Sequence, residues 1–440
     1  MKSFFLSLLY RFLALCSRIY IRRHSPFIIA ITWSVGKTSC RNVISEILSQ
    51  IQELSCQQDI DSKKLTIYTS PENYNSELWL VFSVFQIEEY HPSCKNLFKI
   101  SCKIFFRALF WKKNTDILVA EYWIDSPWDM ERLLQIAVPT ISILTKLDSV
   151  HCANFPWGIR DYWKEKWKLL FATPGKVYVN LQDDYSQEHY YLLSDYVEIW
   201  DETTMNFDII QDDKQIVKTR LYHAWKKITL NLIGKDNIMY TKLAMDIAQD
   251  MWFDLHQKRY DFCCTLQPGR FSFFQYQGNI FIDSSYNAAP ESMKLALENM
   301  FLIQSKRFPR YKIIGVLWDM RELWDMAEQS HKAIASYLKG MHAIYTVWPL
   351  MYEYLVPELK NSTYNWEIIS SLSSRDIGKK LKKYIKDNNS QKYLILFKGS
   401  QNTIYTEEAL AQILPKSQHK KLPRQSISWK TKKEKFFKEV

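Results

Sequence analysis

A chain of 440 residues that is 47% hydrophobic and 24% charged has room for two or three globular domains, and its make-up excludes a disordered or fibrous protein. The net charge of +11 favours polyanionic small molecules such as nucleotides; much of it lies between Lys416 and Lys438, a stretch that reads as a solvated basic end, and no nucleic-acid partner is expected. Cysteines at positions 16, 40, 56, 94, 102, 152, 263 and 264 form no Cys-x-x-Cys pair, which argues for free thiols in a reducing cytoplasm over disulfides or zinc. Glycine is scarce, at 10 residues or about 2% where about 7% is usual, and tryptophan is abundant at 16.

In chain order, residues 3–21 are apolar but interrupted by Arg11 and Arg18. The apolar runs are too short for a membrane span, and no small-residue cleavage site follows. An amphipathic helix packed on the body is the first reading, and an interfacial membrane contact through residues 1–25 the second. The β-branched run from Ile28 to Thr32 then leads through Trp33, Ser34, Val35, Gly36, Lys37, Thr38 and Ser39 into a helix over Arg41 to Leu48. Strand, loop and helix in this order make a phosphate site: backbone N–H groups face phosphate oxygens, Lys37 supplies a point charge, and Thr38 supplies an oxygen for Mg²⁺. Trp33 is anomalous there, because glycine is what lets backbone approach phosphate.

Further strands are predicted over Thr66 to Ser70, Ile117 to Glu121, Val138 to Leu144, Lys176 to Asn180, Ile228 to Ile233 and Asn279 to Asp283. Glu121 ends its strand on a carboxylate, His151 lies just past the end of another, and Asn73 and Asn75 sit in a polar loop. A helix is predicted over Tyr240 to Met251, and another from Glu291. Strands at 311–317, 342–347 and 393–397 alternate with helices at 326–339 and 373–386. The predicted class is α/β: an N-terminal amphipathic segment over 1–25, a central P-loop ATPase-type parallel-sheet domain over 26–307, and a smaller Rossmann-like domain over 308–440 that ends in the basic tail.

Five blocks in order resemble the Mur ligases, the ATP-dependent amide-forming enzymes of peptidoglycan synthesis. They are the loop Ile31 to Ser39, Glu121 to Met130, Gly269-Arg270 with Ile282 to Met293, Val316 to Trp324 with His331 following, and Lys398 to Ser400. The third block is most similar to the members that join D-alanyl-D-alanine to a UDP-MurNAc-tripeptide. The resemblance runs from Pro26 to about Leu414. It implies a cytoplasmic, monomeric enzyme that transfers the ATP γ-phosphate to a substrate carboxylate and lets an amine displace the phosphate, with two Mg²⁺ ions.

Roles carried by the resemblance follow the matched positions. Ser34 to Ser39 would hold the ATP phosphates, with Asn237, Arg270, Asp283 and Asn287 also on the nucleotide. Thr38, Glu121, His151 and Lys166 would serve the metal ions, Lys166 as the lysine that the family often carbamylates. Lys37, Lys166 and His151 would be the catalytic set. Asn73, Asn75, Asp319, Glu322 and Lys398 would meet substrate. Lys146 stands where the family has Asn, and Asp236 where it has His. Only about 30 residues precede the phosphate loop, fewer than the family's UDP-binding domain needs. A different peptide carboxylate as substrate therefore stays open.

Trp33, Trp79, Trp123, Trp128, Trp318, Trp324 and Trp348 all stand where the family has glycine. Drift does not repeatedly place the largest side chain where the smallest is wanted. The expectation is that UGA codons for glycine have been read as tryptophan. Were those codons UGG, a degenerate nucleotide-binding homologue would be the better reading.

Overall fold

The structure is a computed structural model that describes residues 2–32, 36–58, 64–70, 77–88, 93–145, 154–155, 158–199, 206–211, 217–321, 323–364, 366–399 and 404–439. Trp33, Ser34, Val35, Asn73, Asn75, His151 and Glu322 lie outside the described residues. The chain divides into two compact units. The first comprises Met1–Phe207, Arg220–Leu232 and Asp236–Thr265; the second comprises Asp208–Thr219, Ile233–Lys235 and Leu266–Val440.

The first unit is built on a parallel sheet of six strands: β1 (Phe27–Thr32), β2 (Ile67–Thr69), β3 (Ile117–Glu121), β4 (Ile141–Leu144), β5 (Val177–Val179) and β6 (Tyr196–Glu198). Their order is β2-β3-β1-β4-β5-β6. Ile28 to Ile31, Leu118 to Ala120 and Ile143 to Leu144 are almost wholly buried, as expected of strands covered on both faces. β1 lies between β3 and β4, so the sheet order reverses beside it. Such a switch point opens a crevice at the carboxyl ends of the strands. The sequence leads into that crevice with Gly36, whose φ is 85°, and with the helix Lys37–Gln58.

The N-terminal segment forms one helix, Lys2–His24, that buries Leu13, Cys16, Ser17 and Tyr20. It packs beside helix Cys94–Phe110, which Ser93 caps by accepting the Asn96 N–H at 3.1 Å. Arg23 donates to the Ala108 carbonyl, and the His24 ring meets the Trp111 carbonyl at 3.0 Å.

The second unit has its own six-stranded sheet, in the order Ser272–Tyr276, Asn279–Ser284, Tyr393–Lys398, Lys312–Trp318, Ala343–Val347, Glu367–Ser371. The first pair is antiparallel and the rest are parallel. The sequence alternation starts the last domain near residue 308, yet this sheet takes in the hairpin 272–284. The reason is a non-local pairing, Ile282 with Leu396 and Ser284 with Lys398, that no local periodicity reports. The basic tail is solvated at most of its lysines but is tied down at one of them. Helix Ile427–Glu439 places Lys433 at 2% exposure, 2.7 Å from Glu407 and 3.0 Å from Glu408.

The backbone bears on the tryptophan anomaly. Among the described residues, eleven non-glycine residues have positive φ, and four of them are tryptophan: Trp128 (74°), Trp225 (63°), Trp252 (60°) and Trp348 (80°). Trp225 is fully exposed in the two-residue turn between His223 and Lys226, with Ala224 at φ 44°. Two left-handed residues in such a turn make the type I′ hairpin, whose second position wants glycine. Trp252 follows helix Lys235–Asp250; its N–H reaches Gln249 O at 3.0 Å, and the Phe253 N–H reaches Ala248 O at 2.9 Å. That bonding pattern is a Schellman motif with tryptophan at its glycine position.

Candidate functional site

Two groups of side chains gather at strand ends, one in each unit. In the first unit, Gly36 O accepts the Cys40 N–H at 3.0 Å and starts the helix that carries Lys37, Thr38 and Ser39. The amides of its first turn have no intrahelical acceptor, so they suit an anion. Glu121 pairs in register with Ile31, one residue before β1 ends, so its carboxylate stands beside that turn. Arg41 Nη1 lies 3.2 Å from Glu121 Oε1, and both side chains are buried. Sequence reasoning passed over Arg41; an Arg four residues into the helix was the available signal.

Lys166 sits on helix Ile159–Ala172 with no exposure, its ammonium 4.6 Å from the centre of the Tyr162 ring. Burial, and then the positive charge of Lys37, push its pKa well below the ordinary lysine value. Its neighbour Glu165 accepts the Met130 N–H at 3.0 Å and pairs with Lys168 at 2.6 Å. Asn237 is buried in the first turn of helix Lys235–Asp250.

Metal binding can be tested against these residues. The buried Glu121 carboxylate stands 3.2 Å from the Arg41 guanidinium, and Thr38 offers a hydroxyl on the adjacent helix turn. Hard oxygen donors at a strand end and a helix start fit Mg²⁺. Among the described residues no cluster of three His, Cys, Asp or Glu side chains forms a metal site, and His151 falls outside them.

In the second unit the register aligns Asp283 with Phe397, Ser284 with Lys398, and Lys398 with Leu317. Asp283, Lys398 and Asp319 thus lie along one sheet edge. The loop after Asp283 is internally bonded: Ser285 N donates to Asp283 Oδ1 at 3.0 Å, and Ala289 N to Ser292 Oγ at 2.9 Å. The buried Lys398 Nζ donates to Asn287 O. Gly269, at φ 81°, accepts the Tyr286 N–H at 3.1 Å, and any Cβ there would lie 3.0 Å from that nitrogen. The Arg270 guanidinium stands 4.1 Å from the centre of the Tyr286 ring.

An ionic cluster absent from the sequence reading supports this loop. Arg424 donates through Nε to Glu407 Oε1 at 2.9 Å and through Nη2 to Ser285 O at 3.2 Å, while Lys433 pairs with the same Glu407 oxygen at 2.7 Å. Arg424, Glu407 and Lys433 are all buried, so removing one partner strands a buried charge. Glu407→Gln is expected to destabilise the second unit by about 3 kcal/mol, read as a lowered denaturation midpoint. A midpoint within error of the parent's would refute this account of the cluster.

Asp319 accepts two backbone N–H groups, Leu350 at 3.2 Å and Met351 at 2.8 Å. His331 accepts the Met320 N–H at 3.0 Å through Nε2 and donates through Nδ1 to Ala327 O at 2.7 Å, a neutral structural tautomer. Trp318 is wholly buried with its Nε1–H unpartnered, and a Cβ on Gly399 would lie 2.9 Å from Trp318 Cβ.

Burial raises Asp283 to about 6, and Ser285 only partly offsets this. Burial lowers Lys398 to about 7; Arg270 pushes the same way and Asp283 opposes. A carboxyl raised in the folded state makes stability fall as pH rises from about 4 to about 6. A lysine lowered in the folded state makes stability rise from about pH 7 to about 10. Asp283→Asn is therefore expected to flatten the acid-side decline, which amounts to about 3 kcal/mol by linkage. Melting curves at pH 4, 5 and 6 check it; an unchanged slope sinks the assignment.

Comparison with known proteins places these observations. Residues 31–247 match the family described as the Mur ligase middle domain. Over 317 residues the chain is 22% identical to a UDP-N-acetylmuramoyl-tripeptide–D-alanyl-D-alanine ligase of Synechocystis sp., covering 71% of this chain and 60% of the relative. It is 24% identical over 315 residues to the ligase of the same name from Borreliella burgdorferi, covering 69% and 58%. The chain thus spans about 60% of the length of the curated relatives it matches. Among solved structures, MurF of Acinetobacter baumannii aligns with a TM-score of 0.68 at 18% identity, over 91% of this chain and 79% of that one. MurF of Thermotoga maritima, solved in complex with ADP, aligns at 0.66 and 19%, over 94% and 84%. At these identities the structural likeness shows the shared fold.

Proposed function

We propose, for a chain that carries the Mur ligase middle domain, that it is an ATP-dependent, ADP-forming amide ligase of peptidoglycan precursor synthesis. The observation that carries this reading is the strand–Gly-Lys-Thr–helix element at the switch point of a parallel sheet, with Glu121 in register beside it. ATP phosphates would lie on the first turn of helix Lys37–Gln58, with Lys37 on the β- and γ-phosphates. A substrate carboxylate oxygen attacks the γ-phosphorus, the bond to the β-γ bridging oxygen breaks, and ADP leaves with that electron pair. The amine of the second substrate attacks the acyl carbon; inorganic phosphate departs and the nitrogen loses a proton. Thr38 and Glu121, with His151, would hold Mg²⁺, which would neutralise charge on the transferring phosphoryl group.

We read the low pKa of Lys166 as functional. A neutral amine can add to CO₂ and lose a proton, leaving a carbamate that offers oxygens where a cation stood. Bicarbonate is expected to raise the activity of CO₂-depleted enzyme several-fold, and Lys166→Arg to abolish the response; a response that survives in the variant rules this role out. Asp319 is proposed to position the Leu350–Met351 turn, since both its oxygens are occupied. Arg270, Asp283, Asn287 and Lys398 are proposed to serve nucleotide and amine substrate, and Asn237 the adenine.

The proposed substrates are a UDP-MurNAc-tripeptide and D-alanyl-D-alanine. The test is phosphate release from ATP that depends on both compounds, using protein with glycine at the anomalous tryptophan positions. Release that depends on another muropeptide would keep the chemistry and change the substrate. No release with any muropeptide would favour the second reading, a nucleotide-binding homologue without turnover. That reading draws on one observation, the wholly buried indole of Trp318 against Gly399.

A further inference from the structure

Helices Lys2–His24 and Cys94–Phe110 share an outer face that the first unit leaves uncovered. Phe98 and Phe110 are each 73% exposed, Phe106 59%, Leu8 58%, Leu15 49% and Phe12 37%. On the second of these helices Phe98, Cys102, Phe105, Phe106, Leu109 and Phe110 recur at three- and four-residue spacing, so they fall on one side. The rings form a continuous path. Phe12 stacks on Phe105 at 6.0 Å, Phe105 meets Phe106 at 5.7 Å, and Phe106 meets Phe110 at 6.4 Å. An apolar surface of this extent on a folded unit marks an interaction site.

The rim identifies the partner. Neither helix contains a single Asp or Glu, whereas Arg11, Arg18, Arg22, Lys99 and Lys103 flank the apolar stripe and are exposed. Lys112 extends the basic edge just past Phe110. We propose that this two-helix face seats the protein on an anionic membrane surface, with the phenylalanines at the headgroup–acyl boundary and the Lys and Arg side chains on lipid phosphates. Among the described residues no helix is long and apolar enough to cross a membrane, so the contact lies in the plane of the interface. Long cationic side chains lay their stems along apolar surface and raise their charge to the headgroups.

Two other occupants fit less well. A second copy in a two-fold dimer would set the same face against itself and bring Lys and Arg against Lys and Arg with no carboxylate on either side. A single-stranded nucleic acid needs open aromatic faces for base stacking, but here the rings pack on one another and alternate with Leu8, Leu15 and Leu109. The inference is independent of the ligase reading, because none of these residues belongs to the proposed site.

The experiment is co-sedimentation of the full chain with vesicles. At low salt, at least tenfold more protein is expected on phosphatidylglycerol-containing vesicles than on pure phosphatidylcholine vesicles, with most of it released by high salt. The triple variant F98S/F106S/F110S should lose at least tenfold of this binding. The charge-reversal variant K99E/K103E, at two exposed positions, should also lose it while keeping the parent melting temperature. Equal binding to both vesicle types, or none, overturns the proposal. So does a concentration-dependent dimer that both variants disrupt, or oligonucleotide binding that the vesicles fail to displace.

Discussion

Lys37→Ala is expected to lower the proposed ATP-dependent phosphate release by roughly a hundred- to a thousand-fold, with the melting temperature unchanged. Alanine is the best helix former, so helix Lys37–Gln58 keeps its first turn. The backbone amides that face phosphate remain. What would be lost is the point charge proposed to lie on the β- and γ-phosphates, and charge placed for a transferring phosphoryl group accounts for losses of that order. A second readout is built in. Lys37 is the charge that, after burial, holds the Lys166 pKa down, so its removal moves the Lys166 titration upward. Turnover that survives the substitution would mean that ATP binds elsewhere, whatever the fold resembles.

Glycine at Trp225 and Trp252 raises stability. A left-handed backbone costs a non-glycine residue about 1–2 kcal/mol. Neither indole recovers that cost by burial, since Trp225 is fully exposed and Trp252 is 94% exposed. The double variant W225G/W252G is expected to be more stable by about 2 kcal/mol, measured by denaturant unfolding. Equal or lower stability would mean that both turns accept an indole without strain. The two positions matter because the family resemblance did not mark them; backbone conformation alone did. With Trp128 and Trp348 they make four tryptophans in the conformation that glycine favours.

We therefore extend the recoding proposal to these two residues. The protein as its own cells make it is expected to carry glycine at 33, 79, 123, 128, 225, 252, 318, 324 and 348. Peptide mass mapping of the native protein decides this; tryptophan masses at those positions end it. Trp318 has the largest consequence for the site. Its buried indole N–H lacks a partner, which costs about 1–3 kcal/mol, and it fills the strand end beside Gly399, next to Lys398. Glycine there opens space where substrate is proposed to bind.

The sequence by itself determined five of the six strands of the first sheet, all but Tyr196–Glu198, and the phosphate element, because their signals are local. A β-branched run, a Gly-Lys-Thr and an amphipathic stretch are each read within about ten residues. It also determined the order of the chemical blocks, hence the candidate residues Lys37, Glu121, Arg270, Asp283 and Lys398. Only the tertiary structure decided where strands pair. The register of Ser284 with Lys398 joins residues more than a hundred apart and moved the hairpin 272–284 into the second sheet. It likewise drew Lys433 out of an otherwise solvated basic tail, because whether a lysine is paired depends on distant carboxylates such as Glu407. Arg41 on Glu121, and Arg424 on Glu407 and Ser285, were invisible for the same reason: an ion pair is a fact of distance between side chains, and a sequence holds no distances. The tryptophans lie between the two. Their number and motif positions were legible in the chain, but φ is a property of the folded backbone, and it was φ that singled out Trp225 and Trp252.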